Sequence, residues 1–194
     1  MATTSIVLAS GSKYRKSLLK RLGIPFKVWA PDVDENPLAG ELPRNTAVRL
    51  ARVKAEAGGR QFTTSWIIGS DQVADLDGRA IGKPGNLENA RRQLRELSGH
   101  AVLFHTALCF WNPRIERRHE RLVTTDVAFR RLSEAEIDRY LEQEGAFDVA
   151  GSAKSEGLGI SLLSRLGGDD PTALVGLPLI ALSSMLRAEG FDVP

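Results

Sequence analysis

Lys54 stands four positions after Leu50 and three after Ala51, in a segment where Ala47, Leu50 and Ala51 repeat at helical spacing. Its ammonium therefore falls on the stripe that faces the core. A lysine there either snorkels past the stripe to solvent or is held as a cation at the mouth of a cleft, and spacing alone leaves the two balanced. Asp71 is a second charge in an apolar setting, following Ile67, Ile68 and Gly69 at the end of a buried-strand pattern. Open α/β sheets bind ligands at the edge where their strands end, although an aspartate there also serves turns. Asp32, Asp34 and Glu35 crowd the proline-flanked stretch 31–37. Such a run is a solvated acidic loop or a source of oxygen ligands for a hard divalent cation.

Ser10, Ser12 and Arg15 follow a short apolar run and open a helical pattern, a favourable place for an anion. Lys83 lies in Gly78-Arg79-Ala80-Ile81-Gly82-Lys83-Pro84, which superficially looks like a phosphate-binding P-loop. It has three residues between the glycines, and Pro84 stands where Ser or Thr would bind magnesium, so it is no Walker motif. Gly157-Leu158-Gly159 lacks the third glycine of a dinucleotide fingerprint, and His100, His105 and His119 have no metal-ligand spacing. Together, Arg15, Lys54, Lys83, Glu35 and Asp71 suit a polyphosphate with a bound metal.

The elements that must carry these groups begin with a buried strand at residues 5–9, a turn at 10–13 and a helix at 14–22 ended by Gly23. A strand at 26–29 and the acidic loop follow. A helix runs from Pro43 to about Ala57 and is ended by Gly58-Gly59. The strand 66–69 delivers Ser70-Asp71-Gln72 at its end, and Asp77-Gly78 makes a hairpin turn between 73–76 and 79–81. A helix at 87–97 closes on Ser98-Gly99. Long strands at 101–111 and 121–129 are joined by a polar stretch at 112–120, and Ser133 caps a helix. A glycine-rich segment, 145–168, precedes the last helix at 178–189. Alternating early elements and long paired middle strands give an α/β protein with a mixed central sheet, read as one domain over 1–194.

The composition of the 194 residues, 42% hydrophobic and 26% charged, is that of an ordinary globular protein. A formal charge of +2 gives no footprint for a nucleic-acid partner. The single cysteine, Cys109, excludes a disulfide framework within one chain and reads as a small buried hydrophobe. No basic region precedes the first apolar run. The most apolar stretch, 173–186, is broken by Pro178 and shorter than the ~20 residues of a membrane span. From these features the chain is expected to stay in the reducing cytoplasm, away from membranes.

Leu8-Ala9-Ser10-Gly11-Ser12 with Arg15 and Leu18-Leu19 resembles the opening of the Maf family of nucleotide pyrophosphatases. The likeness continues through Asp34-Glu35, Arg49-Leu50-Ala51, Lys54-Ala55, Gly69-Ser70-Asp71-Gln72-Val73 and Gly82-Lys83-Pro84. It extends to Leu97-Ser98-Gly99, Ala150-Gly151, Glu156-Gly157 and Val175-Gly176-Leu177-Pro178, in order over essentially the whole chain. Tyr14, Ser70-Asp71-Gln72-Val73 and Lys154-Ser155-Glu156-Gly157 are similar to the branch that prefers 7-methyl-GTP. The dTTP and UTP branch has an alanine-aspartate-threonine run at the second of these. Lys13 departs from the family, where a proline is usual; the change is expected to loosen the loop without removing a catalytic group.

The resemblance implies a two-lobed mixed-sheet fold of the inosine-triphosphatase kind with a cleft between the lobes, a homodimer, a nucleoside triphosphate substrate and a divalent cation, Mg²⁺ or Mn²⁺. It implies Asp71 as the acceptor of water's proton, with Lys54 and Lys83 beside it and Glu35 and Asp71 holding the metal. Ser10, Ser12 and Arg15 would take phosphate, and Tyr14, Gln72 and Glu156 would set base choice. Two other readings stand beside this one: the same chemistry on a pyrimidine or damaged triphosphate, and a non-catalytic nucleotide-binding regulator of cell division.

Overall fold

The structure is a computed structural model and describes residues 5–194. Its elements run β1 (Ile6–Ala9), α1 (Lys13–Lys20), β2 (Lys27–Trp29), α2 (Pro43–Gln61), β3 (Trp66–Leu76) and β4 (Arg79–Ile81). They continue with α3 (Leu87–Leu97), β5 (Ala101–Asn112), β6 (Arg117–Phe129), α4 (Glu134–Glu144), β7 (Leu163–Gly167) and α5 (Leu179–Ala188). The strands form one seven-stranded mixed sheet in the order β2-β1-β3-β5-β6-β7, with β4 paired to β3. β1 is parallel to β2 and β3, and the remaining pairings are antiparallel.

Three cores divide the molecule into two lobes. In the first lobe the sheet is covered on both faces. Ile6, Leu8 and Ile68 pack against α1 and α5, while Val7, Ala9 and Ile67 pack against Ala47, Ala51 and Ala55 of α2. Successive strand residues point to opposite faces, so a strand covered on both sides reads as an unbroken apolar run. In the second lobe the far ends of β3, β5 and β6 carry Ala74, Phe104 and Val127 against Leu94 of α3 and Ile137 of α4.

β3 does not stop at Gly69, as its apolar run suggests, but continues through Leu76. β5 pairs with it from Ile67↔Trp111 to Asp75↔Leu103 and holds it extended across both lobes. Asp71 therefore lies in mid-strand. On its other edge β3 is paired with β1 up to Leu8↔Ile68 and with β4 from Ala74↔Ile81, so residues 69–73 have no strand on that side. The strand that ends at the site is β1, and the cleft opens in the gap beyond it.

α2 likewise runs past its expected end, through Gly58 and Gly59 to Gln61. These glycines permit close approach rather than termination. A Cβ on Gly58 would lie 2.7 Å from Ile67 Cγ2, and one on Gly59 would enter the ring of Trp111. Gly69, opposite, has no room for a Cβ either, which would lie 2.6 Å from the Ala55 nitrogen.

The connection between β5 and β6 is shorter than its polar residues suggest, because β6 begins at Arg117. Arg118 stays extended there, with its guanidinium 5.2 Å from the centre of the Trp111 ring and 2.8 Å from Glu56. The glycine-rich segment holds two 3-10 turns, Ala150–Ser152 and Leu158–Leu162, and then β7, an edge strand without alternating apolar residues. The Asp77-Gly78 turn, with φ of 51° and 84°, forms as its sequence implies. Ser133 and Glu136 make a reciprocal capping box at α4. Cys109 is buried, and burial pushes its thiol up to about 12, so it stays a neutral packing residue. Among the described residues no helix is long and apolar enough to cross a membrane.

Candidate active site

The loop after β1 is ordered by its own hydroxyls. Ser12 caps α1 by accepting from the Arg15 amide, and Ser10 Oγ accepts from the Ser12 amide at 3.1 Å. The Arg15 guanidinium reaches back to Ser10 Oγ and donates through Nε to the Gly176 carbonyl at 2.8 Å. Ser70 Oγ lies 2.9 Å from the same carbonyl and 2.8 Å from that of Ala107. Gly176, with φ of 111°, thus joins the first loop to β3.

The segment bearing Gly176 is fixed by two groups that sequence reasoning did not single out. Asp170 accepts from the Thr172 amide and, at 2.7 Å, from the Ile180 amide in the first turn of α5. Thr172 Oγ1 accepts from the Leu179 amide at 2.8 Å. A short acidic and hydroxyl pair just ahead of an apolar helix was the available signal. Gln72, on the same face of β3 as Ser70, donates to the Ala173 and Leu174 carbonyls at 2.9 Å.

On the opposite face, Gly69 lets α2 lie against the sheet at Ala51 and Ala55, and Lys54 lies between those two residues. Its side chain does not snorkel out; the residue is 4% exposed. Its ammonium lies 2.6 Å from Asp71 Oδ1 and 2.7 Å from Glu35 Oε1. A buried cation between two carboxylates is the centre of the site.

Glu35 sits on the loop after β2, and that loop is tied to α2. Arg49 donates to Glu41 through Nε and Nη2 at 2.7 and 2.8 Å, and to the Asn36 carbonyl at 3.0 Å. Glu41 also accepts from the Leu38 amide and the Thr46 hydroxyl. The Arg49 hydrogen bond, with help from those two, holds the Glu41 carboxyl at about 2 against an ordinary 4.5. A depressed carboxyl pKa stabilises the fold fully above 4.5, and that contribution is lost as pH falls toward 2. Wild type should therefore be more stable than Glu41→Gln at neutral pH, and the gap should close in acid titrations of unfolding between pH 4.5 and 2. A gap independent of pH would contradict this.

Burial pushes the Glu35 carboxyl up, but Lys54, Lys83 and Arg15 together outweigh it and leave it below its ordinary value. For Arg15, burial lowers the guanidinium against the opposing pull of Asp71 and Glu35. These charges surround a cleft of about 640 Å³. Ser10, Ser12, Tyr14, Arg15 and Glu35 line it from the first lobe, with Lys54, Asp71 and Gln72 at its floor. Lys83 and Glu156 face it from the second lobe. Every site residue implied by the family resemblance thus lines one cleft.

The neighbours of Glu35 do not join it. Asp34 turns on its own loop, accepting from the Asn36 amide and side chain at 2.9 and 2.7 Å, and neither Asp32 nor Asp34 lines the cleft. Among the described residues no three His, Cys, Asp or Glu side chains gather as a ready-made metal cage. Glu35 and Asp71 nonetheless converge on a single ammonium. Two hard oxygen donors of this kind fit Mg²⁺ or Mn²⁺, which complete their shells with water and phosphate oxygens. His105 lies elsewhere, between Asp75 and Thr124, and His119 pairs with Glu189.

The family described as Maf-like protein matches residues 5–189. A 7-methyl-GTP pyrophosphatase of Burkholderia orbicola is 55% identical over 191 residues, covering 97% of this chain and 91% of that protein. Another, from Cupriavidus pinatubonensis, is 55% identical over 186 residues, covering 96% and 94%. The solved structure of the Staphylococcus aureus Ham1 protein matches with a TM-score of 0.55 at 16% identity, covering 96% of this chain and 100% of that one. That last likeness bears on the fold alone.

Proposed function

The chain belongs to the Maf-like family, and from that premise we propose that it is a nucleoside triphosphate pyrophosphatase cleaving 7-methyl-GTP to 7-methyl-GMP and pyrophosphate. The observation that carries the chemistry is the buried Lys54 ammonium held between Asp71 and Glu35, with Arg15 and Lys83 at the same cleft. A triphosphate brings three or four negative charges that must be neutralised before a nucleophile can approach. Arg15 and Lys83 bind those oxygens, and the capped N-terminus of α1 adds oriented amides.

Asp71 accepts the proton of the water that attacks the α-phosphorus. The new bond forms from water oxygen to phosphorus, and the bond from phosphorus to the β-bridging oxygen breaks, releasing pyrophosphate. Lys54 fixes the Asp71 carboxylate and keeps one of its oxygens occupied. Glu35 and Asp71 would hold a divalent cation, which when bound supplies neutralisation of the charge on the phosphate oxygens.

The base lies toward Tyr14, Gln72 and Glu156. 7-Methylguanine carries a positive charge on its ring, and stacking on Tyr14 is worth about 0.5–2 kcal/mol depending on desolvation. Glu156 accepts from the N–H edge and balances the ring charge. Gln72, pinned to the Ala173 and Leu174 carbonyls, holds the wall against which the base rests. Combining Tyr14→Ala with Glu156→Gln should remove most of the preference for 7-methyl-GTP over GTP, read as the ratio of kcat/KM values. An unchanged ratio would overturn this assignment of the base site.

The direct test is incubation with Mg²⁺ or Mn²⁺ and a panel of 7-methyl-GTP, GTP, dTTP, UTP and CTP, quantifying pyrophosphate and monophosphate. Selective cleavage of 7-methyl-GTP is the expected result. Cleavage of a pyrimidine would keep the chemistry and overturn the specificity. No pyrophosphate from any nucleotide with either metal would replace the enzyme with a nucleotide-binding regulator.

A further inference from the structure

Lys13 and Tyr14 open α1 in the first lobe, and Asp148 faces them from the second, between α4 and the Ala150–Ser152 turn. The Tyr14 hydroxyl donates to the Asp148 carboxylate, 3.1 Å from each oxygen. The Lys13 ammonium lies 3.0 Å from Asp148 Oδ2 and 5.0 Å from the centre of the Tyr14 ring. An aromatic face and a carboxylate thus form a half-cage around a cation, and all three residues line the cleft. The cation now in it is held loosely, since the Lys13 and Asp148 side chains are 72% and 47% exposed. Lys154 is further off, 3.9 Å from the other Asp148 oxygen.

A ring-borne positive charge suits this half-cage better than an ammonium does. A flat cationic purine can stack on the Tyr14 ring and still present N–H groups to a carboxylate, whereas an ammonium satisfies both only at one point. We propose that Asp148 is a specificity-determining residue that pairs with a cationic, N7-alkylated purine, and that the Lys13 ammonium is an internal stand-in which the base displaces. This rests on the reading of the Tyr14 end of the cleft as the base site. Burial raises the Asp148 carboxyl, but Lys13, Tyr14 and Lys154 outweigh that and leave it below its ordinary value. The carboxylate is therefore ionised when a cationic base arrives. The lysine standing where a proline is usual becomes, on this view, a competitor for the base site.

The test is calorimetric binding of 7-methyl-GMP and GMP, which needs no turnover, to wild type, Asp148→Asn, Lys13→Gln and Tyr14→Phe. The wild-type preference for 7-methyl-GMP should fall about tenfold in Asp148→Asn. Lys13→Gln should tighten 7-methyl-GMP by roughly threefold. Tyr14→Phe, which keeps the ring and loses the hydroxyl, should retain most of the preference. An undiminished preference in Asp148→Asn overturns the proposal, as does a wild type that does not distinguish the two monophosphates. Equal losses in Asp148→Asn and Tyr14→Phe also overturn it, because Asp148 would then act only by orienting the ring. Unchanged or weaker binding by Lys13→Gln removes the competition. Asp148-dependent binding without pyrophosphate release from any nucleotide would sink the proposed enzyme and leave this inference standing.

Discussion

Asp71→Asn is expected to lower kcat by at least about 10²-fold while leaving the protein folded. The amide has the shape of the carboxylate, and its oxygen can still accept from Lys54, which keeps Glu35 as its counter-charge. What the proposed mechanism would lose is the capacity to take a proton from water. Single-turnover release of pyrophosphate from saturating 7-methyl-GTP measures the step, and circular dichroism checks the fold. A loss well under 10²-fold would remove Asp71 from the role of base, and an effect confined to KM would make it a binding group.

Lys54→Met tests the other half of the pair and acts on stability as well as rate. Methionine fills much of the same volume but leaves Asp71, 6% exposed, without its cation. Breaking a buried ion pair from one side costs about 3–5 kcal/mol, because the remaining charge stays buried. For a chain of this size that corresponds to a fall in Tm on the order of 10 °C. Glu35 loses its strongest partner at the same time, so the upward push of burial on its carboxyl is less well opposed. Combining Lys54→Met with Asp71→Asn should recover part of the lost stability, the mark of energetic coupling between contacting groups. A Lys54→Met protein as stable as wild type would mean the pair contributes nothing net.

Much of this arrangement is legible in the sequence, and the reasons differ by residue. Lys54 was visible because a charge on an apolar stripe breaks the helical period. Asp71 was visible because it interrupts a buried-strand run. The end of β3 was not, because Ser70 and Asp71 are polar although still buried, and burial on both faces gives way only past Asp71. The polarity of this stretch reflects interactions across the cleft and with the Gly176 segment rather than a turn. Gly58-Gly59 misled for a related reason: glycine marks a helix end or a close contact, and only the position of Ile67 and Trp111 decides which. β7 escaped because an edge strand exposed to solvent has little hydrophobic pattern. Asp148, Asp170 and Thr172 lie in loops, where neither period applies, and their meaning is set by partners remote in the chain. Roles at the cleft came from resemblance; local spacing supplied only an inventory suited to phosphate.

The glycines along the contact of α2 with the sheet carry a consequence for which substitutions the chain can tolerate. Gly58, Gly59 and Gly69 do not line the cleft, yet each occupies a place where one added carbon collides with the opposite element. Displacing α2 from the sheet moves Lys54 away from Asp71 as surely as replacing either. The positions least free to vary therefore include a strip of bare backbone beside the charges. Drift elsewhere on α2, along its solvent side, is comparatively free. Two chains could differ at most surface positions and still share this strip, because the site depends as much on side chains that are missing as on those that are present.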